Sequence, residues 1–243
     1  FIPIEHAEGT EVYIHGKKYI MIGSNNYVGL TNHPKVKEAA VEAVRKYGTS
    51  CTGSRFLNGT LDLHLELEER LAKYVGMEAA LVFSTGFQVN LGTIPAIMDK
   101  DDIIITDKEV HASIIDGVRM AKSLKNVHTR RYKHNDPADL ESVLKALPPE
   151  PAKLVIVDGV FSMGGDIAKL PELIPICKKY GARFMSDDAH SIGVLGGGRG
   201  TGHHFGIQQD VDLVMGTFSK SLASVGGFIA GPKEAVHFIQ MFA

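Results

Sequence analysis

Lys220 stands in the run Gly216-Thr217-Phe218-Ser219-Lys220-Ser221, directly after the apolar stretch Val211-Asp212-Leu213-Val214-Met215. A lysine at the carboxyl end of a buried strand is partly desolvated, which lowers its pKa and yields a usable amine nucleophile. One structural unit upstream, Asp187-Asp188-Ala189-His190 follows a second strand-like run, Ala182-Arg183-Phe184-Met185-Ser186. If both runs belong to one open sheet, the amine and a carboxylate reach the same crevice outside the strands' carboxyl ends. An amine for an imine and a carboxylate for a pyridine nitrogen are the two fixed points of pyridoxal phosphate chemistry.

Strand alternation sends Asp187 and Asp188 to opposite faces, so Asp187 is assigned to the ligand side and Asp188 to a structural role. Taken alone, an Asp-Asp pair is as well read as a turn that caps the next segment, and a lone lysine as a solvated one. The setting argues for more. Gly216, the hydroxyls of Thr217, Ser219 and Ser221, and the small run Ala223-Ser224-Val225-Gly226-Gly227 describe tight backbone around a bound group, with donors suited to a phosphate. Ser84-Thr85-Gly86-Phe87 follows a strand and opens a helix, which suits either an anion on backbone N–H groups or an ordinary helix cap. His111, in Glu109-Val110-His111-Ala112-Ser113, is either a functional ring or a hydrogen-bonded interior histidine.

Other chemistries fail on spacing. The glycine cluster from Gly196 to Gly202 does not satisfy G-x-G-x-x-G in register, and no G-x-x-x-x-G-K-[ST] occurs. Ser162 and Ser219 lack the G-x-S-x-G setting of a hydrolase nucleophile. His203 and His204 are adjacent rather than four apart, so they make no helical metal pair. Asn58-Gly59-Thr60 is read as a turn rather than a glycosylation acceptor.

The elements that must position these groups are legible as alternating runs. Residues 11 to 22 suggest a hairpin around His15-Gly16-Lys17-Lys18, and helical spacing runs from Pro34 to Tyr47 with Asn32 as its start signal. Leu63, Leu67 and Leu71 lie four apart in a helix over 61–75 that Gly76 stops. Strands are expected at 79–83, 102–106, 127–132, 154–158, 182–186, 211–215 and 227–230, with helices between most of them. Runs apolar on both faces and alternating with helices indicate an α/β fold with a mostly parallel sheet covered on both sides. Residues 1–47 form an N-terminal arm and helix, and 48–243 a large cofactor-binding domain.

With 243 residues, 44% of them hydrophobic, the chain can bury a sizeable core. Its 26 basic and 28 acidic side chains give a net charge of −2, so no basic field recommends nucleic acid or a membrane surface. Cys51 and Cys177 have unrelated contexts, which suits a reducing cytoplasm. No apolar stretch approaches the roughly 20 residues that span a bilayer, so a soluble protein without an integral membrane segment is expected. The chain starts on Phe1 rather than Met and its last residues read as an unfinished helix, so both ends are expected to be incomplete.

A series of segments recurs in fixed order: Asn25-Asn26-Tyr27-Val28-Gly29-Leu30, Gly53-Ser54-Arg55, Gly59-Thr60, His64, Ser84-Thr85-Gly86-Phe87-Gln88-Val89-Asn90, His111-Ala112-Ser113, Phe161-Ser162-Met163-Gly164-Gly165, Asp187-Asp188-Ala189-His190 and Gly216-Thr217-Phe218-Ser219-Lys220. Together, and over almost the whole chain, they resemble the α-oxoamine synthase family of fold-type I pyridoxal phosphate transferases. Within it, the run from Gly216 to Phe228 is most similar to the bacterial serine palmitoyltransferases.

The resemblance implies pyridoxal 5′-phosphate as cofactor, with Lys220 carrying the imine, Asp187 on the pyridine nitrogen and His190 on the phenolic oxygen. It implies that His111 stacks on the ring and touches the substrate carboxylate. The phosphate would sit on the backbone of Gly86 and Phe87, with the hydroxyls of Thr217 and Ser219 assisting. Asn26 and Tyr27 would approach the substrate at the interface of a homodimer. The implied reaction condenses an amino acid, L-serine, with an acyl-CoA, palmitoyl-CoA, and loses carbon dioxide to give 3-ketosphinganine, the first step of sphingolipid synthesis. A sister synthase using glycine or alanine, an aminotransferase or lyase on the same fold, and a non-catalytic cofactor-binding or regulatory subunit are the alternatives. The family's C-terminal small domain, with its carboxylate-gripping arginine, is expected to lie outside this sequence.

Overall fold

The computed structural model describes residues 1–243. Its leading arm is a three-stranded antiparallel sheet of β1 (His6–Glu8), β2 (Glu11–Ile14) and β3 (Lys17–Ile20). The expected hairpin closes through His15 and Gly16, whose φ values of 51° and 69° are the left-handed pair that a two-residue turn requires. Strand β1 was not expected, because three exposed residues carry no readable alternation. Helix α1 covers Pro34–Tyr47 as its spacing predicts, but His33 rather than Asn32 caps it, with Nδ1 accepting the Lys35 N–H at 3.3 Å. Proline at the first helical position needs no partner for an N–H it lacks.

Then follow α2 (Asp62–Val75), β4 (Ala79–Phe83), α3 (Gly86–Ile97), β5 (Ile103–Asp107), α4 (Ala112–Lys125), β6 (His128–Tyr132), α5 (Pro137–Lys145) and β7 (Lys153–Asp158). The remaining elements are α6 (Leu170–Lys179), β8 (Ala182–Asp187), α7 (Thr201–His204), β9 (Leu213–Thr217), β10 (Gly227–Gly231) and α8 (Lys233–Phe242). The main sheet has seven strands in the order β4-β10-β9-β8-β7-β5-β6. Strand β10 runs antiparallel to both neighbours, and the others from β9 to β6 are parallel.

Successive residues of the central strands enter opposite layers of the core. Val155 and Val157 of β7 and Phe184 of β8 pack with Leu140 and Leu144 of α5 and Leu170 and Leu173 of α6. Leu154, Ile156 and Met185 turn the other way, onto Val89 and Ile94 of α3 and Ile114 of α4. Strands buried on both faces need helices on both faces, which is why these runs read as continuously apolar. The strand expected at 211–215 sits two residues later, because Gly216 and Thr217 pair with Phe228 and Gly227 of β10. A Cβ on Gly216 would lie 2.3 Å from the Phe228 ring, so this strand position excludes any larger residue. No helix is long and apolar enough to cross a membrane.

Candidate active site

A cavity of about 360 Å³ opens at the carboxyl ends of β8 and β9, against the first turns of α3 and α4. Lys220, Asp187, His190, His111, Gly86, Phe87, Thr217 and Ser219, drawn from four separate stretches of sequence, all line it. Asn26 does not. Its Oδ1 accepts the Thr31 N–H at 3.3 Å and holds the loop before α1, while Tyr27 reaches the site through His190.

Asp187 closes β8 and is 4% exposed. Its Oδ2 accepts from Asn90 Nδ2 at 2.7 Å and its Oδ1 from the Ala189 N–H at 3.1 Å, so both oxygens are oriented by donors. Asn90 is wholly buried on α3, and Nδ2 also donates to Ser113 Oγ at 2.9 Å. Asp188 faces the opposite layer, as alternation predicts. There Ser186 Oγ donates to it at 2.7 Å and the Thr201 N–H at 2.9 Å, while burial pushes its carboxyl up. The glycine cluster serves this residue: a Cβ on Gly200, at φ 110°, would meet Asp188 Oδ2 at 2.2 Å.

Lys220 lies three residues beyond the end of β9, half-buried, with Nζ 2.7 Å from His190 Nε2. Burial lowers its pKa, against the opposing charges of Asp187 and Asp158. Burial, then the charges of Lys220 and His111, press His190 down to about 4, so its imidazole is neutral at pH 7. A neutral ring that accepts from the Lys220 ammonium at Nε2 must carry its proton at Nδ1, which then donates to Tyr27 Oη at 2.7 Å. Tyr27 donates in turn to Asn25 Oδ1 at 3.1 Å, and burial raises its phenol so that it keeps that proton. One Lys220 proton and the single protons of His190 and Tyr27 thus each have an acceptor along the chain to Asn25.

The other end of the cavity is built for an anion. Thr85 caps α3, its Oγ1 accepting the Gln88 N–H at 3.0 Å, which leaves the Gly86 and Phe87 N–H groups at a 12-residue helix's positive end. Gly86 is required there because a Cβ would lie 2.6 Å from Thr217 Oγ1. Thr217 donates its one proton to the Gly226 carbonyl at 3.0 Å, so the exposed Ser219 hydroxyl is the donor across the 3.0 Å to Thr217 Oγ1 and meets a ligand by rotating that proton toward the cavity. His111 caps α4, with Nδ1 2.8 Å from Ser113 Oγ and its ring edge-on to Phe87.

The model for aminotransferase class I and II matches residues 17–243. The chain belongs to the aminotransferase class I and II family. It is 54% identical over 241 residues to the serine palmitoyltransferase of Sphingobacterium spiritivorum, covering 99% of this chain and 59% of that protein. It is 45% identical over 238 residues to the 8-amino-7-oxononanoate synthase of Thermoanaerobacter pseudethanolicus, covering 97% of this chain and 59% of the relative. A solved variant of serine palmitoyltransferase from S. paucimobilis with bound PLP–myriocin aldimine superposes with a TM-score of 0.95 at 41% identity, covering 100% of this chain and 61% of that one. The chain thus spans about three-fifths of the length of these relatives. The family resemblance and the fold class read from the sequence both hold.

The cavity fits pyridoxal phosphate on its own chemistry. Its helix end and Ser219 hydroxyl suit a phosphate, its oriented Asp187 carboxylate suits a protonated ring nitrogen, and Lys220 supplies the amine. Sequence reasoning assigned no role to Asn90, Ser113 or Asp158. Asn90 carried a signal, as an uncharged polar residue inside the buried stripe of Val89, Thr93 and Ile94. So did Asp158, which ends β7 directly after the apolar run Leu154-Val155-Ile156-Val157 and in register with Asp187.

Proposed function

We propose that this protein is a pyridoxal phosphate-dependent acyltransferase that condenses L-serine with palmitoyl-CoA, releasing carbon dioxide and CoA, to give 3-ketosphinganine in the first step of sphingolipid synthesis. The observation that carries the reading is the meeting of Lys220 and an oriented Asp187 in one cavity of a chain 54% identical to a serine palmitoyltransferase. Bound there, pyridoxal phosphate supplies an aldehyde that condenses with amines and a ring that withdraws electrons once its nitrogen is protonated. Asp187 holds that ring proton, and Asn90 and the Ala189 N–H hold Asp187. Lys220, with its lowered pKa, takes the proton from the serine Cα and returns it after carbon dioxide leaves. Once Lys220 leaves Nε2 for the cofactor, a neutral His190 protonated at Nε2, with Tyr27 Oη donating to Nδ1, would donate to the phenolic oxygen. His111 would form the wall against the ring and the serine carboxylate, and Gly86, Phe87 and Ser219 would hold the phosphate.

The same reading makes residues 48–243 the cofactor-binding domain and 1–47 an arm whose α1 buries none of its residues and packs at the interface of a homodimer. Tyr27 and Asn26 belong to that arm: Tyr27 meets its own protomer's cavity through His190, and Asn26, which lies outside that cavity, would approach a substrate only across the homodimer interface. The test is an absorbance spectrum of the full-length protein with pyridoxal phosphate, then with L-serine, then with palmitoyl-CoA while free thiol is measured. The reading expects a visible band in the wild type, its loss in Lys220→Ala, and thiol release with serine. Thiol release only with glycine or alanine assigns a sister synthase, and none with any pair assigns a non-catalytic subunit.

A further inference from the structure

Asp158 ends β7 as Asp187 ends β8, and the two are register partners on adjacent parallel strands. Register partners in a parallel pair project to the same side, so two carboxyl groups stand side by side, 3% and 4% exposed, on the wall of one cavity. They are unequally supported. Asp187 receives a donor on each oxygen, whereas Asp158 receives only the His111 N–H, on Oδ1 at 3.2 Å. Lys220 acts on both through space but gives its Nζ to His190. Adjacent buried carboxyls do not both ionise, and the one with fewer donors keeps the proton.

We propose that Asp158 is a further positioning residue of the site: a neutral carboxylic acid that accepts the His111 N–H on one oxygen and keeps its proton on the other. The pair then presents one negative charge, on Asp187, and one O–H donor, on Asp158. A single counter-charge is what one ring cation requires. A second would draw a proton from the ligand or from Lys220. The groups facing Asp158 are Asp187 on β8, Asp107 on β5, His111 at the start of α4 and Lys220 after β9. Burial and the Asp187 charge together push its carboxyl up to about 8. The assignment concerns the cavity's own charge and stands whichever amino acid or acyl donor is used.

The test is infrared spectroscopy of the full-length protein stripped of cofactor, from pH 5 to pH 10 in H2O and D2O. The wild type should show the carbonyl stretch of a protonated carboxyl group, deuterium-sensitive, disappearing with a midpoint at about 8. Asp158→Asn, which mimics the neutral acid, should lack that titrating band, and subtracting its spectrum removes any contribution from Asp188. In Asp187→Asn the neighbouring charge is gone, and the midpoint should fall by about one pH unit or more. Identical titrations in wild type and Asp158→Asn overturn the proposal. If Asp158→Asn does not fold, an unmoved midpoint in Asp187→Asn overturns it as well.

Discussion

His134 bridges two carboxylates: Nδ1 lies 3.0 Å from Asp107 Oδ1 and Nε2 lies 3.0 Å from Asp166 Oδ2. Each nitrogen must carry hydrogen to meet a carboxylate oxygen, so the bridge works only as an imidazolium. Burial alone would lower this histidine's pKa, but the hydrogen bond and charge of Asp107, with the charges of Asp166 and Glu109, outweigh it and raise the net value above 6.5. Replacing it by His134→Phe keeps a ring against Phe161, 4.4 Å away, and removes only the charge and its donors. Asp107 is wholly buried and retains the Glu109 and Asn135 N–H groups, so the variant forfeits one charge-assisted bond of about 2 kcal/mol. Asp166 has a side chain 40% exposed, so its share is at most about 1 kcal/mol. The total near pH 6 is about 2–3 kcal/mol, or about 5–10 °C in melting temperature for a chain of this size. A pKa raised in the folded state contributes fully below 6.5 and is lost as pH rises through the folded value, with a slope of at most about 1.4 kcal/mol per pH unit. Unfolding of wild type and variant in parallel from pH 6 to pH 9 should show a gap that narrows as pH rises, with Asp158 and His190 cancelling in the difference. A gap that is constant or widens with pH refutes the imidazolium bridge.

Asn90→Leu preserves volume but strips Asp187 Oδ2 of its donor, at about 2–3 kcal/mol, and should weaken pyridoxal phosphate binding in an absorbance titration; unchanged affinity would remove Asn90 from the site. Gly86→Ala drives a Cβ to 2.6 Å from Thr217 Oγ1 and 2.8 Å from Thr217 Cβ, so it should cost about 1–3 kcal/mol in urea unfolding. In a Thr217→Gly background the same Gly86→Ala change should cost much less, and an equal cost in both backgrounds counts against the stated contact. His190 has its folded pKa depressed to about 4, so its neutral ring favours folding above 6.5 and that contribution disappears as pH falls from 6.5 toward 4. The wild type should therefore lose stability relative to His190→Gln across that acid window, and parallel acid unfolding curves for the two proteins would contradict a neutral His190.

What the sequence determined by itself is local: the bounds of α1, the glycine after α2, the left-handed His15-Gly16 turn, and strands apolar enough to demand cover on both faces. These follow from backbone conformational preferences and from periods of two and 3.6 residues, which are readable within a short window. Lys220 and Asp187 were legible because each closes such a run. Tertiary structure decided who meets them. Asn90 lies 97 positions from Asp187, and Tyr27 lies 163 from His190, separations at which no periodicity carries information. The insertion of β10 between β4 and β9, antiparallel to both, extended β9 through Gly216 and Thr217 and gave the Thr217 proton to Gly226. Strand order is chosen by how both faces of the sheet are covered at once, a condition on the whole chain that no single segment contains.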